Sequence, residues 1–112
     1  MSWNINSYPT SVQIGAHDIK VKTVEGPIRI EGNDTIIGNY IPTKKEIICS
    51  HMRDMSSTTF GENFVHEVME AANDINDLGL SHQTITTLAS SMFQAFSSGK
   101  VNFGTNVAGS GE

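Results

Sequence analysis

The sequence contains a single cysteine, Cys49. No intrachain disulfide can form, which fits a reducing compartment. Cys49 closes an apolar run, where a packed interior thiol is the ordinary expectation. Positive charge is equally sparse. Seven lysines and arginines face twelve acidic residues, for a net charge of −5. The cations are scattered, with only Lys44 and Lys45 adjacent. A chain of this balance is not expected to bind nucleic acid or an anionic membrane surface. The aromatics Trp3, Tyr8 and Tyr40 are not interleaved with basic residues, so no base-stacking platform is evident. No hydrophobic run approaches the ~20 residues of a membrane span. The start, Met1 to Asn6, lacks the basic and apolar regions of a signal peptide. These absences lead us to expect a cytoplasmic protein; they leave its oligomeric state open. Also missing are a Gly-rich loop ending in Lys-Ser or Lys-Thr, a Gly-x-Ser-x-Gly and a Cys-x-x-Cys.

What is present divides the chain in two. Its 112 residues suit one domain, and 38% hydrophobic content allows a modest core. Residues 11–51 are rich in Ile, Val and Thr and are punctuated by Gly and Pro. They read as short strands near 11–14, 19–24, 28–31, 35–41 and 46–50. Short loops between them predict a small sheet of about four strands, mostly antiparallel. Residues 59–98 carry helical spacing instead. A first helix is expected from a Thr58 or Thr59 cap to about Leu78, burying Phe60, Phe64, Val68, Ala71, Ala72 and Ile75. Gly79 is a plausible stop. A second helix, capped by Ser81, runs to about Ser98 with Ile85, Leu88, Ala89, Met92, Phe93 and Phe96 toward the core. The fold class is therefore α+β, a small sheet followed by two packed helices. We expect one domain over 1–104 and a loose Gly- and Asn-rich tail over 105–112.

The most informative motif lies on the first helix. His66-Glu67-Val68-Met69-Glu70 is the arrangement of a His-Glu-x-x-His metal-binding helix with Glu at the second ligand position. Residues four apart lie one above the other, so His66 and Glu70 can share an ion. Glu67 is placed to act as general base on a water held there. A third ligand must come from elsewhere. His82 follows the Gly79 turn. An end-to-end joining of two antiparallel helices would leave it on the order of 12 Å from Glu70. Asp74 and Asp77 are rival carboxylates. Each residue also has a plainer use: a helical His is often hydrogen-bonded at the surface, and helical Glu is often solvated. His17 and His51 read as non-catalytic, with His51 at most lining the cleft; no group for stabilising an oxyanion stands out, Tyr40 and His51 being the candidates.

The order of the parts resembles a known family. Ile14-Gly15-Ala16-His17-Asp18-Ile19-Lys20-Val21 looks like the opening strand pair of small phage and prophage zincin-like proteins. Gly38-Asn39-Tyr40-Ile41-Pro42 with Glu46-Ile47-Ile48 is similar to their hairpin. The segment from Thr59 to Ala71 resembles their active-site helix. Leu80-Ser81-His82, Ile85, Leu88 and the run Met92 to Phe96 look like the helix that follows. Together these pieces span most of residues 11–97. The resemblance implies a minimal zincin-like domain, a zinc-dependent peptidase acting on peptides or proteins in the host cytoplasm. It implies His66, Glu70 and His82 as metal ligands and Glu67 as catalytic base. Two His and one carboxylate also suit iron or another divalent metal. The alternative is a catalytically inactive binding protein on the same scaffold, acting on a host factor.

Overall fold

A computed structural model describes residues 9–26, 28–30, 33–52 and 56–98. The expected tail over 105–112, with Val101 and Phe103, lies outside the described residues. The element order is β1 (Ser11–Ile14), β2 (His17–Glu25), β3 (Ile28–Ile30), β4 (Asn33–Ile36), β5 (Gly38–Ile41), β6 (Glu46–His51), α1 (Ser57–Ile75) and α2 (His82–Ser97). This is the expected α+β architecture, strands first and helices after.

Four strands form one sheet in the order β1-β2-β6-β5, and β3 pairs with β4 apart from it. The β1–β2 hairpin closes at Ile14↔His17, around Gly15, whose φ of +59° suits a residue without a side chain. β5 and β6 pair antiparallel, as expected of a short Pro42–Lys45 loop. The central pair departs from that pattern: β2 and β6 run parallel, in register from Lys20↔Glu46 to Glu25↔His51. Parallel strands need a long crossover. The β3–β4 pair and β5 together supply it, because they occupy the chain between Glu25 and Glu46. The run expected as one strand at 35–41 is broken at Ile37 into β4 and β5.

The sheet packs against α1 by its alternating residues. Ile19 and Val21 of β2, Ile47 and Cys49 of β6, and Phe60 and Ala71 of α1 form the buried cluster. Phe64, Val68 and Ile75 continue the α1 stripe and pack on it, which is the helical periodicity read from the sequence. α2 lies on α1 and buries Ile85, Ala89 and Phe93. Leu88 and Met92, expected in the core, are exposed; they lie beyond the strip of α2 that α1 covers. The molecule is thus layered as sheet, α1, α2. At the α1–α2 crossing, Gly61 is buried against the Phe93 ring.

The helix ends are capped by serines. Ser56, not Thr58 or Thr59, is the N-cap of α1, and its side chain accepts from the Thr59 N–H. Ser81 does the same for α2 by accepting from Thr84 N–H, as expected. α1 stops at Ile75, three residues earlier than the pattern suggests. Asp77, at φ +52°, takes the left-handed turn first, and Gly79 follows at φ +70°. No helix among the described residues is long and apolar enough to cross a membrane.

Candidate metal centre

β5 is an edge of the sheet, and α1 runs beside it. Side chains of α1 reach across to its backbone and flank. Asn63 Nδ2 donates to Ile37 O at 2.6 Å. The close approach depends on Gly38, since a β-carbon there would lie 2.7 Å from Asn63 Nδ2. One turn on, the buried Glu67 carboxyl faces the Tyr40 backbone amide. Two turns further, Tyr40 Oη donates to Asp74 Oδ2 at 2.8 Å, and Lys45 Nζ lies 3.4 Å from the same oxygen. The Tyr40 hydrogen bond, with Lys45 beside it, holds the Asp74 carboxyl below the usual range. Burial and the same bond push the Tyr40 phenol up to about 12. Asp74 is therefore committed to Tyr40 and Lys45, which removes it as a rival ligand.

The adjacent strip of α1 builds the centre. His66 Nε2 donates to Glu70 Oε2 at 3.2 Å across one helical turn. His82 Nδ1, from the first residue of α2, donates to the same oxygen at 2.9 Å. The two imidazoles meet edge to face with centroids 4.9 Å apart. One atom from each of His66, Glu70 and His82 lies within 4.8 Å of the others, a group able to hold a metal ion. Ligands about 2.0–2.1 Å from a tetrahedral ion stand about 3.3 Å from one another, so the two Glu70 contacts need little adjustment. The structure brings together the three residues expected as ligands. The end-to-end estimate for His82 is superseded: its chain folds back along α1.

Glu67 sits on the next position round the helix. Burial raises its carboxyl to about 7, the neighbouring Glu70 charge adds to the rise, and His82 and the Tyr40 amide oppose it. A proton affinity near neutrality suits a group that must both take and return a proton. His66, Glu67 and His82 lie where two hollows meet, one of about 340 Å³ and one of about 520 Å³. The first extends past Thr59, Glu62 and Thr86; the second passes Tyr40, Asn73 and Asp77. No Lys or Arg is among the described residues lining either. His51 packs its ring at a tilt against Phe60, with centroids 5.0 Å apart, and His17 opens β2; neither joins the centre.

Asn73 is the residue that sequence reasoning missed. Its side-chain amide pairs with the Leu80 backbone, accepting from Leu80 N at 2.9 Å and donating to Leu80 O at 3.2 Å. An Asn seven residues before its partner has no local signature, so only the fold reveals it. Compared with known proteins, the chain matches no family model, no curated protein and no solved structure.

Proposed function

We propose that this protein is a divalent-metal-dependent hydrolase of peptides or proteins, with His66, Glu70 and His82 holding zinc and Glu67 as general base. The observation that carries the reading is the meeting of both imidazoles on one Glu70 oxygen, at the junction of two hollows. Two imidazoles and one carboxylate with an open side form a donor set suited to zinc, and also to iron. A bound ion would polarise a carbonyl and acidify water. Glu67, fixed by the Tyr40 amide and buried, would take a proton from water and return it to the leaving amine. His66 is held by its helix and by Glu70. The absence of Lys and Arg from the described lining favours a neutral amide over a phosphate ester, which needs counter-charge. The sequence resemblance to zincin-like proteins supports the same chemistry.

A second reading is a binding protein on this scaffold. One feature favours it: Glu70 accepts a hydrogen bond from each histidine, an arrangement that would also serve as a polar joint between α1 and α2. Calorimetric titration of chelator-treated protein with zinc separates the two. The expected result is one ion per chain, with affinity lowered roughly 100-fold or more in Glu70→Ala. The zinc-loaded protein should cleave an unfolded protein such as casein, stop on chelation and resume when zinc is restored. No uptake of zinc or iron would favour the binding protein; uptake without cleavage would leave the centre and remove the hydrolase.

A further inference from the structure

The three residues of the centre are not held alike. His66 and Glu70 share one helix, and their side chains are 16% and 25% exposed. The His82 side chain is 76% exposed and belongs to another helix. Packing does not fix a side chain that open to solvent, and ordering it costs rotamer entropy. Its place over Glu70 must come from the backbone that carries it.

That backbone is tied to one residue of α1. Leu78 N donates to Asn73 O at 3.0 Å. Leu80 N donates to Asn73 Oδ1 at 2.9 Å, and Asn73 Nδ2 donates to Leu80 O at 3.2 Å. The link thus doubles back after the left-handed residues Asp77 and Gly79 and docks beside Asn73, one turn from Glu70. Ser81 then caps α2, and His82 is its first residue. A primary amide offers one donor and one acceptor side by side, the pattern a peptide group presents in return. Aspartate lacks the donor, and leucine, of similar shape, lacks both. The gross seat of α2 comes from Ile85, Ala89 and Phe93, so loss of the amide should leave the fold standing.

We propose that Asn73 is a positioning residue for the metal centre, acting through Leu80 to hold His82 over Glu70. The inference rests on the metal-site reading above, but it also makes a claim about the metal-free protein. Groups that orient a ligand usually contribute 10–100-fold to metal affinity.

The test is a double-mutant cycle on zinc affinity with Asn73→Ala, His82→Ala and the pair, each checked for cooperative unfolding. Asn73→Leu serves as a second variant that keeps the shape. Asn73→Ala should weaken zinc about 10–100-fold, and less than about threefold once His82 is already alanine. The d–d spectrum of the cobalt-loaded protein should shift in Asn73→Ala toward that of His82→Ala. In metal-free protein, the His82 imidazole ¹⁵N shifts should move in Asn73→Ala and Asn73→Leu toward those of an unpaired histidine. Effects that add in full across the cycle overturn the proposal, because a merely structural role would act equally with and without His82. Unchanged imidazole shifts in both Asn73 variants overturn it as well. Should His82→Ala leave zinc affinity at the wild-type value, the metal reading falls instead, and the metal-free shifts alone decide the role of Asn73.

Discussion

Glu67→Gln is expected to slow hydrolysis by roughly 100- to 10,000-fold, the usual contribution of a positioned base, while zinc affinity stays within a few fold of wild type. Glutamine keeps the size of the side chain and an oxygen that can accept from the Tyr40 amide. It cannot take a proton from water. Measuring kcat/KM on a peptide beside calorimetric zinc affinity checks both halves, and unchanged turnover would remove Glu67 from the mechanism. A second effect follows in the metal-free protein. The folded state holds the Glu67 proton up to about pH 7, whereas an unfolded chain releases it near the ordinary pKa of Glu, about 4.3. The native form therefore binds more protons between those values, and its stability falls as pH rises through them. Below that window the carboxyl is neutral in both states and costs nothing. Above it the buried charge costs a few kcal/mol, on the order of 1.4 kcal/mol for each pKa unit. Denaturant unfolding of chelator-treated protein at the two ends of the window should show Glu67→Gln gaining on wild type at the alkaline end only.

Gly61→Ala should destabilise the fold by about 1–3 kcal/mol. Helix propensity alone predicts the reverse sign, since alanine improves on glycine by about 1 kcal/mol in a helix. Gly61, however, is where α1 meets α2. An added β-carbon would overlap Cε1 of the Phe93 ring and stand 2.5 Å from its Cζ. Phe93 is 3% exposed, so the ring has no free space to swing into, and the helices must part. A loss of that size corresponds to a fall in melting temperature of roughly 5–20 °C. Thermal unfolding monitored by circular dichroism decides it, and a rise in melting temperature would mean that the crossing is looser than described.

Local periodicity carried much of this architecture. The Phe60-Phe64-Val68-Ala71-Ile75 stripe and the His66–Glu70 pair are each set by helical geometry within a few turns, and both were legible. The β5–β6 hairpin followed from its loop. The parallel β2–β6 pairing was not legible, because no loop joins the two strands and the pairing depends on what the intervening chain does. Leu88 and Met92 share a helical face with buried residues, yet the width of the strip that α1 covers is a tertiary property. His82 is the sharpest case. Its distance from Glu70 depends on two left-handed residues and one amide clamp, and a count of residues sees neither. Capping shows a milder version: Ser56 and Thr59 are both competent caps, and the helix begins after Ser56, which leaves Thr59 as the donor to the cap.

Cys49 lies on β6, 1% exposed, in the middle of the sheet that α1 covers. Burial, with the Glu67 charge nearby, pushes its thiol up to about 12. At neutral pH almost no thiolate exists in the native state, and no reagent can reach it. Alkylation must then wait for α1 to leave the sheet, after which the thiol regains its ordinary reactivity. The single sulfur becomes a clock for that opening. Its labelling rate reads how often the layer beneath the metal centre comes apart, and a bound ion that bridges α1 to α2 should slow only those openings that also part the two helices, leaving the rate unchanged if α1 and α2 lift from the sheet together.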